Sequence, residues 1–438
     1  MPDVLILGGG LAGLACGHTC LEGGLEPLVL EASPRAGGVV GTREIDGFRF
    51  EAGPNTLQAS AGSFRQLCGE LGLDRELTVS DPSANVRWLW TAGALRPLPG
   101  SPPALLRTPL FDRSTKLRLA SEPLRRWRPP APSAPEPTLA ELLEERLGRE
   151  PTELLAGAFV RGIYAGDHTR LGARSAFPRL WSLLEQHGGL VRGLLAGRRR
   201  ARRAQRKGAP SPPGPDVPAT RLLSLPGGLQ RLVDALVGRL GGHLQLESEV
   251  LGLRREGSEW VCERRQGGPL RAPRVVLCVG AEAAAGLLEP HLGSEHRAFV
   301  AGIPHSSVRL AHLGFAPGEL SLPPGFGYLV PPRETGPEAP RSLGTIFASN
   351  LFGDRAPAGG AAVSCFYAAE AVEKLDAMSF CDLAAADLAR ALGLDSAPRP
   401  AATWTVLWRR SIPQYLPEHD RRFEALEADL GRRAPGLD

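Results

Sequence analysis

The chain opens on a short apolar run, Val4-Leu-Ile-Leu7, of the kind carried by a strand buried on both faces. A glycine-rich turn follows, then Leu14–Leu21 reads as a helix and Pro27–Glu31 as a second strand. The first thirty or so residues therefore predict one β-α-β unit. Further along, Leu139–Leu147 and Thr152–Gly162 are helix-like, and apolar residues at 229, 232, 233, 236, 237 and 240 have helix spacing within 227–240. Strand-like pieces are expected at 244–253, 258–264 and 274–280. Alternating or short apolar runs at 307–315, 326–331, 343–349 and 361–367 predict a mixed sheet. Pro-rich stretches at 123–137 and 208–218 read as exposed loops or linkers. No internal repeat is evident.

At 438 residues the chain is long enough for two or three domains and a sizeable core. Hydrophobic residues make up 42% and charged residues 22%, which excludes a disordered chain. The 53 glycines and 41 prolines predict many tight turns. A net charge of +4 does not by itself imply nucleic acid. The seven cysteines are dispersed and form no Cys-x-x-Cys, so neither a disulfide framework nor a zinc cage is expected. The nine histidines show no ligand spacing, and no metal site is expected. No apolar run reaches the roughly 18 residues that span a bilayer. Val4–Ala15 lacks a basic leader and is broken by glycines, so it does not read as a signal peptide, and the cytoplasm is the expected location.

The chemistry concentrates at the first turn. Gly8-x-Gly10-x-x-Gly13 lies between strand and helix, the context in which this spacing binds a dinucleotide. Gly8 permits the tight turn, Gly10 lets the backbone approach a diphosphate, and Gly13 lets helix and strand pack closely. The free N–H groups and positive dipole of the helix start favour the anion. Glu31 ends the second strand, where a carboxylate can accept from ribose hydroxyls. The competing reading is a glycine-rich turn beside a solvated glutamate. Cys16 and Cys20, four apart on the helix, are expected to be core thiols. Residues 198–207 carry seven positive charges in ten. A solvated helix end explains this run, and attraction to anionic lipid is the functional alternative, at about 1 kcal/mol per basic residue. Interleaved aromatics are missing, so nucleic acid is not an expected partner.

The next segment separates FAD from NAD. Glu31-Ala-Ser-Pro-Arg35-Ala-Gly37-Gly38 and then Phe50-Glu-Ala-Gly53-Pro54-Asn55 resemble the FAD-dependent amine oxidase superfamily, in which an Arg-x-Gly-Gly segment runs along the cofactor diphosphate. Arg161-Gly162-Ile-Tyr-Ala-Gly-Asp167 with Phe177-Pro178, Pro226-Gly-Gly-Leu-Gln230, Gly325–Pro331 and Ile412-Pro-Gln-Tyr415 are similar, in this order, to the protoporphyrinogen oxidase family. These matches cover nearly the whole chain.

The resemblance implies a fold and a set of roles. The fold is α/β, with a discontinuous Rossmann-like FAD domain (1–84, 218–285 and 404–438), a helical membrane-associating segment (85–217) and a mixed-sheet substrate domain (286–403). Gly8, Gly10, Gly13, Glu31, Arg35, Gly37, Gly38, Gly53, Pro54 and Asn55 would lie along FAD, Val250 would meet the adenine, and Trp408 would flank the flavin. Arg87 would pair with a porphyrinogen propionate, while Gly162, Leu329, Ile346 and Phe366 would line the tetrapyrrole pocket. Core packing is the alternative reading of the three apolar side chains, and a surface arginine that of Arg87. The implied reaction is oxidation of protoporphyrinogen IX to protoporphyrin IX, with dioxygen as acceptor and peroxide as product. Coproporphyrinogen III is the rival substrate. A flavin amine oxidase, a carotenoid desaturase, or a remnant that binds without turnover are the other readings. No catalytic Ser/His/Asp cluster is needed, and none is present. Peripheral contact with the cytoplasmic face of a membrane fits the family, and a homodimer is left open. In the family a strand beginning near Pro435 leads into a second glycine-rich segment that caps the isoalloxazine. The 438 residues do not include it, so this chain is expected to hold FAD weakly and turn over slowly.

Overall fold

A computed structural model of the chain describes residues 1–438 except 101, 132, 207–214, 216, 217 and 219. Most of the Pro-rich linker expected at 208–218, together with Lys207, thus lies outside the described residues. In chain order the elements that matter for the site are β1 (Val4–Leu7), α1 (Leu11–Glu22), β2 (Pro27–Leu30), β3 (Trp88–Thr91), β4 (Ala94–Pro97), α2 (Ala158–Tyr164) and α3 (Leu190–Arg206). They continue with α4 (Gln230–Leu240), β5 (Leu244–Gln245), β6 (Val250–Glu256), β7 (Arg274–Leu277), β8 (His305–Phe315), β9 (Gly327–Leu329), β10 (Gly344–Ile346), β11 (Ala361–Ala368), α5 (Ala377–Leu392) and β12 (Ala402–Pro413).

The first sheet is parallel, in the order β5-β2-β1-β7. Its central strand β1 is buried throughout, as its unbroken apolar run requires. Helix α1 crosses from β1 to β2 and packs with α4 against the sheet, burying Leu14, Leu232, Val233 and Leu236. The helix predicted over 227–240 begins only at Gln230. Gly227 and Gly228 hold φ of 78° and 99°, outside helical space, and form the turn that precedes it.

A second sheet of seven strands runs β12-β8-β11-β10-β9-β3-β4. Strands β3 and β4 fall in a stretch that reads as helical and Pro-rich, yet β3 pairs in parallel with β9, Leu89 opposite Leu329. One face of this sheet is a dry core: Ala311, Leu313, Phe315, Val363, Cys365 and Tyr367 pack on Phe380, Ala384 and Leu388 of α5. Side chains alternate along a strand, so the intervening positions point to the opposite face. Cross-strand register there aligns Val406, Leu310, Phe366, Gly344, Leu329 and Leu89 in one row. A neighbouring row aligns Trp404, His312, Ser364, Ile346 and Gly327. That second face looks toward α2 and the loop at 53–55.

Candidate functional site

The loop after β1 is built for close approach. Gly8 adopts φ +105°, and a Cβ there would stand 2.5 Å from the Cys278 carbonyl oxygen. A Cβ on Gly13 would stand 1.8 Å from the Gly8 carbonyl oxygen, so α1 can lie against the turn only without a side chain at this position. Around the Gly10 Cβ position nothing lies within 4 Å, which leaves open space at the N-terminus of α1. A helix start with free N–H groups beside open space suits an anionic diphosphate.

Glu31 faces the same loop. Its Oε2 accepts from Gly9 N at 2.6 Å and its Oε1 from Ser33 N at 2.9 Å. Its backbone carbonyl accepts from Ser248 N at 2.8 Å, which runs the 247–250 segment, ending in the half-buried Val250, alongside Glu31. The glycine pair closes the opposite side: Gly37 N donates to Gly9 O at 2.8 Å, and a Cβ on Gly38 would stand 3.2 Å from Gly10 Cα. Arg35 staples its own loop, donating to Gly38 O at 2.6 Å and Val40 O at 3.2 Å. At the next turn a Cβ on Gly53 would meet Val39 O at 2.5 Å, and Asn55 Nδ2 donates to Gly53 O at 3.0 Å. Trp408 Nε1 on β12 donates to Ala52 O at 2.7 Å. Contacts through Ser248, Val39 and Ala52 therefore link the Gly8–Gly13, Glu31–Gly38, Gly53–Asn55, Val250 and Trp408 positions in a continuous chain, and the donors and open space fit a dinucleotide.

The second face of the seven-stranded sheet provides an apolar wall. Leu329, Ile346 and Phe366 are each half-buried there, against fully buried residues on the α5 face. Gly162 on α2 meets this wall directly, since a Cβ there would stand 2.2 Å from Leu329 Cδ2. Arg161, one residue earlier, donates to Val330 O and Pro331 O at 3.3 and 3.2 Å and fixes α2 to the strand. The exposed Arg87 lays its guanidinium over the Phe326 ring, 4.9 Å from the centroid, and Phe326 packs with Ile346. Nearby protein strips water from this cation and lowers its pKa, with no carboxylate among the causes. An arginine with no counter-charge among the described residues, at the rim of an apolar wall, suits a carboxylate on a hydrophobic ligand.

Two motifs that read as separate in sequence meet in space. Gln414 Nε2 donates to Tyr164 O at 2.9 Å, and a Cβ on Gly166 would stand 2.2 Å from Gln414 Oε1. Ala165 between them takes the left-handed conformation at φ 45° and its carbonyl accepts from Ser306 Oγ at 2.9 Å. The Gly-Ile-Tyr-Ala-Gly-Asp and Ile-Pro-Gln-Tyr segments thus form one junction between α2 and the end of β12.

Sequence reasoning missed two buried polar groups. Glu51 accepts from Leu229 N (3.1 Å) and Thr42 Oγ1 (2.7 Å) and pairs with Arg355 Nη2 at 3.2 Å. Burial raises the pKa of Glu51, and the Arg355 charge opposes that rise. His312, wholly buried, lies between the Phe50 and Trp404 rings. A carboxylate closing the aromatic strand Phe48–Glu51 was the available signal for the first. A lone strand histidine offers none.

The fold and loops describe a dinucleotide flavoenzyme, and comparison with known proteins agrees. Residues 11–433 match the sequence profile of the flavin containing amine oxidoreductases. The chain is 31% identical to protoporphyrinogen oxidase 1, chloroplastic, of Arabidopsis thaliana, over 98% of this chain and 81% of that protein. It is 26% identical to the coproporphyrinogen III oxidase of Bacillus subtilis, over 99% of this chain and 92% of that one. In structure it is similar to a protein of Exiguobacterium sp. 255-15 assigned as a protoporphyrinogen oxidase, with TM-score 0.79 and 22% identity over 99% of this chain and 92% of the other. The chain belongs to the flavin containing amine oxidoreductases and, within them, to the protoporphyrinogen oxidase family. It is an FAD-dependent oxidoreductase.

Proposed function

We propose that the chain oxidises protoporphyrinogen IX to protoporphyrin IX, in three two-electron rounds with dioxygen as the acceptor. The observation that carries this reading is the apolar wall of Leu329, Ile346 and Phe366 with Arg87 at its rim and α2 closed over it at Gly162. Bound FAD supplies the acceptor for hydride from a bridging carbon of the macrocycle. The protein's part is to orient and to exclude water. Gly8 makes the turn, Gly13 lets α1 pack against it, Gly10 keeps the N-terminus of α1 open so that its free N–H groups meet the diphosphate, and Glu31 takes the adenosine ribose beside Val250. Gly37 and Gly38 cover the diphosphate, held by Arg35. Gly53, Pro54, Asn55 and Trp408 border the flavin. Arg87 takes one propionate, and Gly162 lets α2 pack directly on Leu329 at the edge of the wall. Three shielding apolar side chains with the Arg87 cation suit a hydrophobic carboxylate, and protoporphyrinogen, the more apolar of the two candidates with two propionates rather than four, is the substrate of this reading.

Peripheral contact with an anionic membrane is part of the proposal. Helix α3 exposes Leu194 and Leu195 just before the basic run, and Phe159 and Ile163 are exposed on α2. The basic helix end is described in backbone to Arg206, but its side chains at 198 and 200–206 are not. Among the described residues no helix is long and apolar enough to cross a membrane.

The test is anaerobic mixing of the FAD-loaded chain with each reduced porphyrinogen while flavin absorbance is followed. Bleaching by protoporphyrinogen that outpaces bleaching by coproporphyrinogen supports the reading. Faster bleaching by the tetracarboxylate transfers the assignment to coproporphyrinogen, and binding without bleaching makes the chain a tetrapyrrole binder.

A further inference from the structure

His312 on β8 is wholly buried, yet it is not an inert core residue. Its ring is stacked between Phe50, at 5.3 Å and 29°, and Trp404, at 5.1 Å and 23°. The Arg43 guanidinium lies over the Trp404 ring, 5.7 Å from its centroid, and is the one charged group found along this stack among the described residues. Nδ1 lies 2.9 Å from Ser364 Oγ on β11. Ser364 Oγ in turn donates to Asn55 Oδ1 at 3.5 Å, and Asn55 Nδ2 donates to Gly53 O at 3.0 Å. This series is complete with the imidazole proton on Nδ1. With the serine proton directed to Asn55, the serine oxygen accepts from Nδ1–H. Nε2 is then a bare lone pair, and it has no partner among the described residues. Burial keeps the imidazole neutral, lowering its pKa to about 3, so the donor stays a single N–H over the working range of pH.

We propose that His312 is a positioning residue: through Ser364 it orients the Asn55 carboxamide, and so lets the substrate-bearing sheet set the pose of the Gly53–Asn55 turn. Three observations converge on this. The series crosses from the sheet to the nucleotide loops. Ser364 is directly opposite Ile346 and two residues from Phe366, so the same strands that carry the apolar wall carry the relay. Trp408 Nε1 holds the neighbouring Ala52 carbonyl from the same sheet at 2.7 Å, so the turn is gripped at two points. The inference rests on the proposed placement of residues 53–55 at the cofactor.

Two variants separate a relay from a packing role. His312→Phe keeps the stacked ring and removes the donor. His312→Asn loses the ring but places an amide N–H near the Nδ1 position. Packing alone predicts that Phe is the better replacement, and the relay predicts Asn. Three readouts apply: amide hydrogen exchange over residues 50–58 of the cofactor-free chain, the FAD dissociation constant, and the visible spectrum of the bound flavin. His312→Phe and Ser364→Ala should each raise exchange at this turn and weaken FAD about tenfold, the scale of one lost neutral hydrogen bond. His312→Asn should return both to within about threefold of the parent, with the parent flavin spectrum. The double variant His312→Phe/Ser364→Ala should be no worse than Ser364→Ala alone. Parent-like exchange and FAD binding in His312→Phe, or a deficit in His312→Asn as large as that in His312→Phe, overturns the proposal. Should the unmodified chain ignore FAD, the functional reading fails, while the exchange measurement still decides the relay.

Discussion

Replacing Arg355 by methionine tests whether the nucleotide loops are held together by a buried charge pair. Arg355 and Glu51 are each 2% exposed, and their Nη2–Oε1 distance is 3.2 Å. Arg355 also donates to Ser224 Oγ at 2.6 Å, and Glu51 accepts from Leu229 N and Thr42 Oγ1, so the pair joins the hairpin at 42–51 to the turn at 224–230. Gly228 sits directly on Thr42, with no room for a Cβ. Removing the arginine leaves a carboxylate with no counter-charge in a dry site, a change that costs about 3–5 kcal/mol. The pH dependence identifies the cause. The folded-state pKa of Glu51 is already raised by burial, and losing Arg355 removes the largest opposing contribution. A carboxyl with a raised folded pKa carries no penalty below its unfolded pKa, and the penalty grows as pH climbs through the folded value. The deficit of Arg355→Met against the parent should therefore be large at pH 8 and clearly smaller at pH 5. The double variant Glu51→Gln/Arg355→Met should recover part of it, because no charge is then buried. Urea unfolding followed by tryptophan fluorescence at the two pH values measures all three chains. A deficit equal at pH 5 and pH 8, or a double variant less stable than Arg355→Met, would refute the reasoning.

Gly13→Ala pushes a methyl group into the Gly8 carbonyl, so α1 must retreat from the turn. FAD should bind at least about tenfold more weakly while far-ultraviolet circular dichroism stays parental, and flavin co-elution on gel filtration checks it. Arg87→Ala should raise KM for the porphyrinogen about tenfold or more with little change in kcat, and Arg87→Lys should lie between, as steady-state kinetics would show. Acid should unfold the protein partly through His312. Its pKa falls from the ordinary 6.5 to about 3, so the stability it confers is complete above about pH 6.5 and is lost as pH drops toward 3. At pH 5 the loss is roughly 2 kcal/mol, and the urea midpoint of His312→Phe should fall less between pH 7.5 and 5 than that of the parent.

What the sequence revealed and what it hid follow from the range of each interaction. The β-α-β opening was legible because its determinants are local: an apolar run, three glycines at fixed spacings and an acid at the end of the next strand. The helix on 230–240 was legible from its period, although its start moved past two glycines in left-handed conformations. Strand β3 was not legible, because it is a strand by virtue of β9, which lies some 240 residues further along. The junction at Gln414 was visible only as two motifs, since no local pattern says that an amide will meet Tyr164 O across 250 positions. His312 and Arg355 gave no signal for the same reason.

The distribution of buried polar groups matches what the proposed chemistry demands. Hydride transfer requires reacting atoms held in near contact, and displacement of about 1 Å costs a large part of the rate. A cofactor carries the electrons, so the protein needs little acid–base machinery. Accordingly, Glu51, Arg355, His312, Ser364 and Asn55 are spent on joints between loops and sheets. In the proposed site the wall facing the ligand is left to Leu329, Ile346 and Phe366. The sheet that bears this wall also holds Ala52 through Trp408 and Asn55 through Ser364. On the proposed reading both reactants are thereby referred to one sheet, and the separation between them depends on cross-strand register. A shift of one residue in that register would turn His312 and Ser364 toward the α5 core and place Leu313 and Val363 on the ligand side. Such a shift would therefore remove the wall and the grip on the turn at 52–55 together.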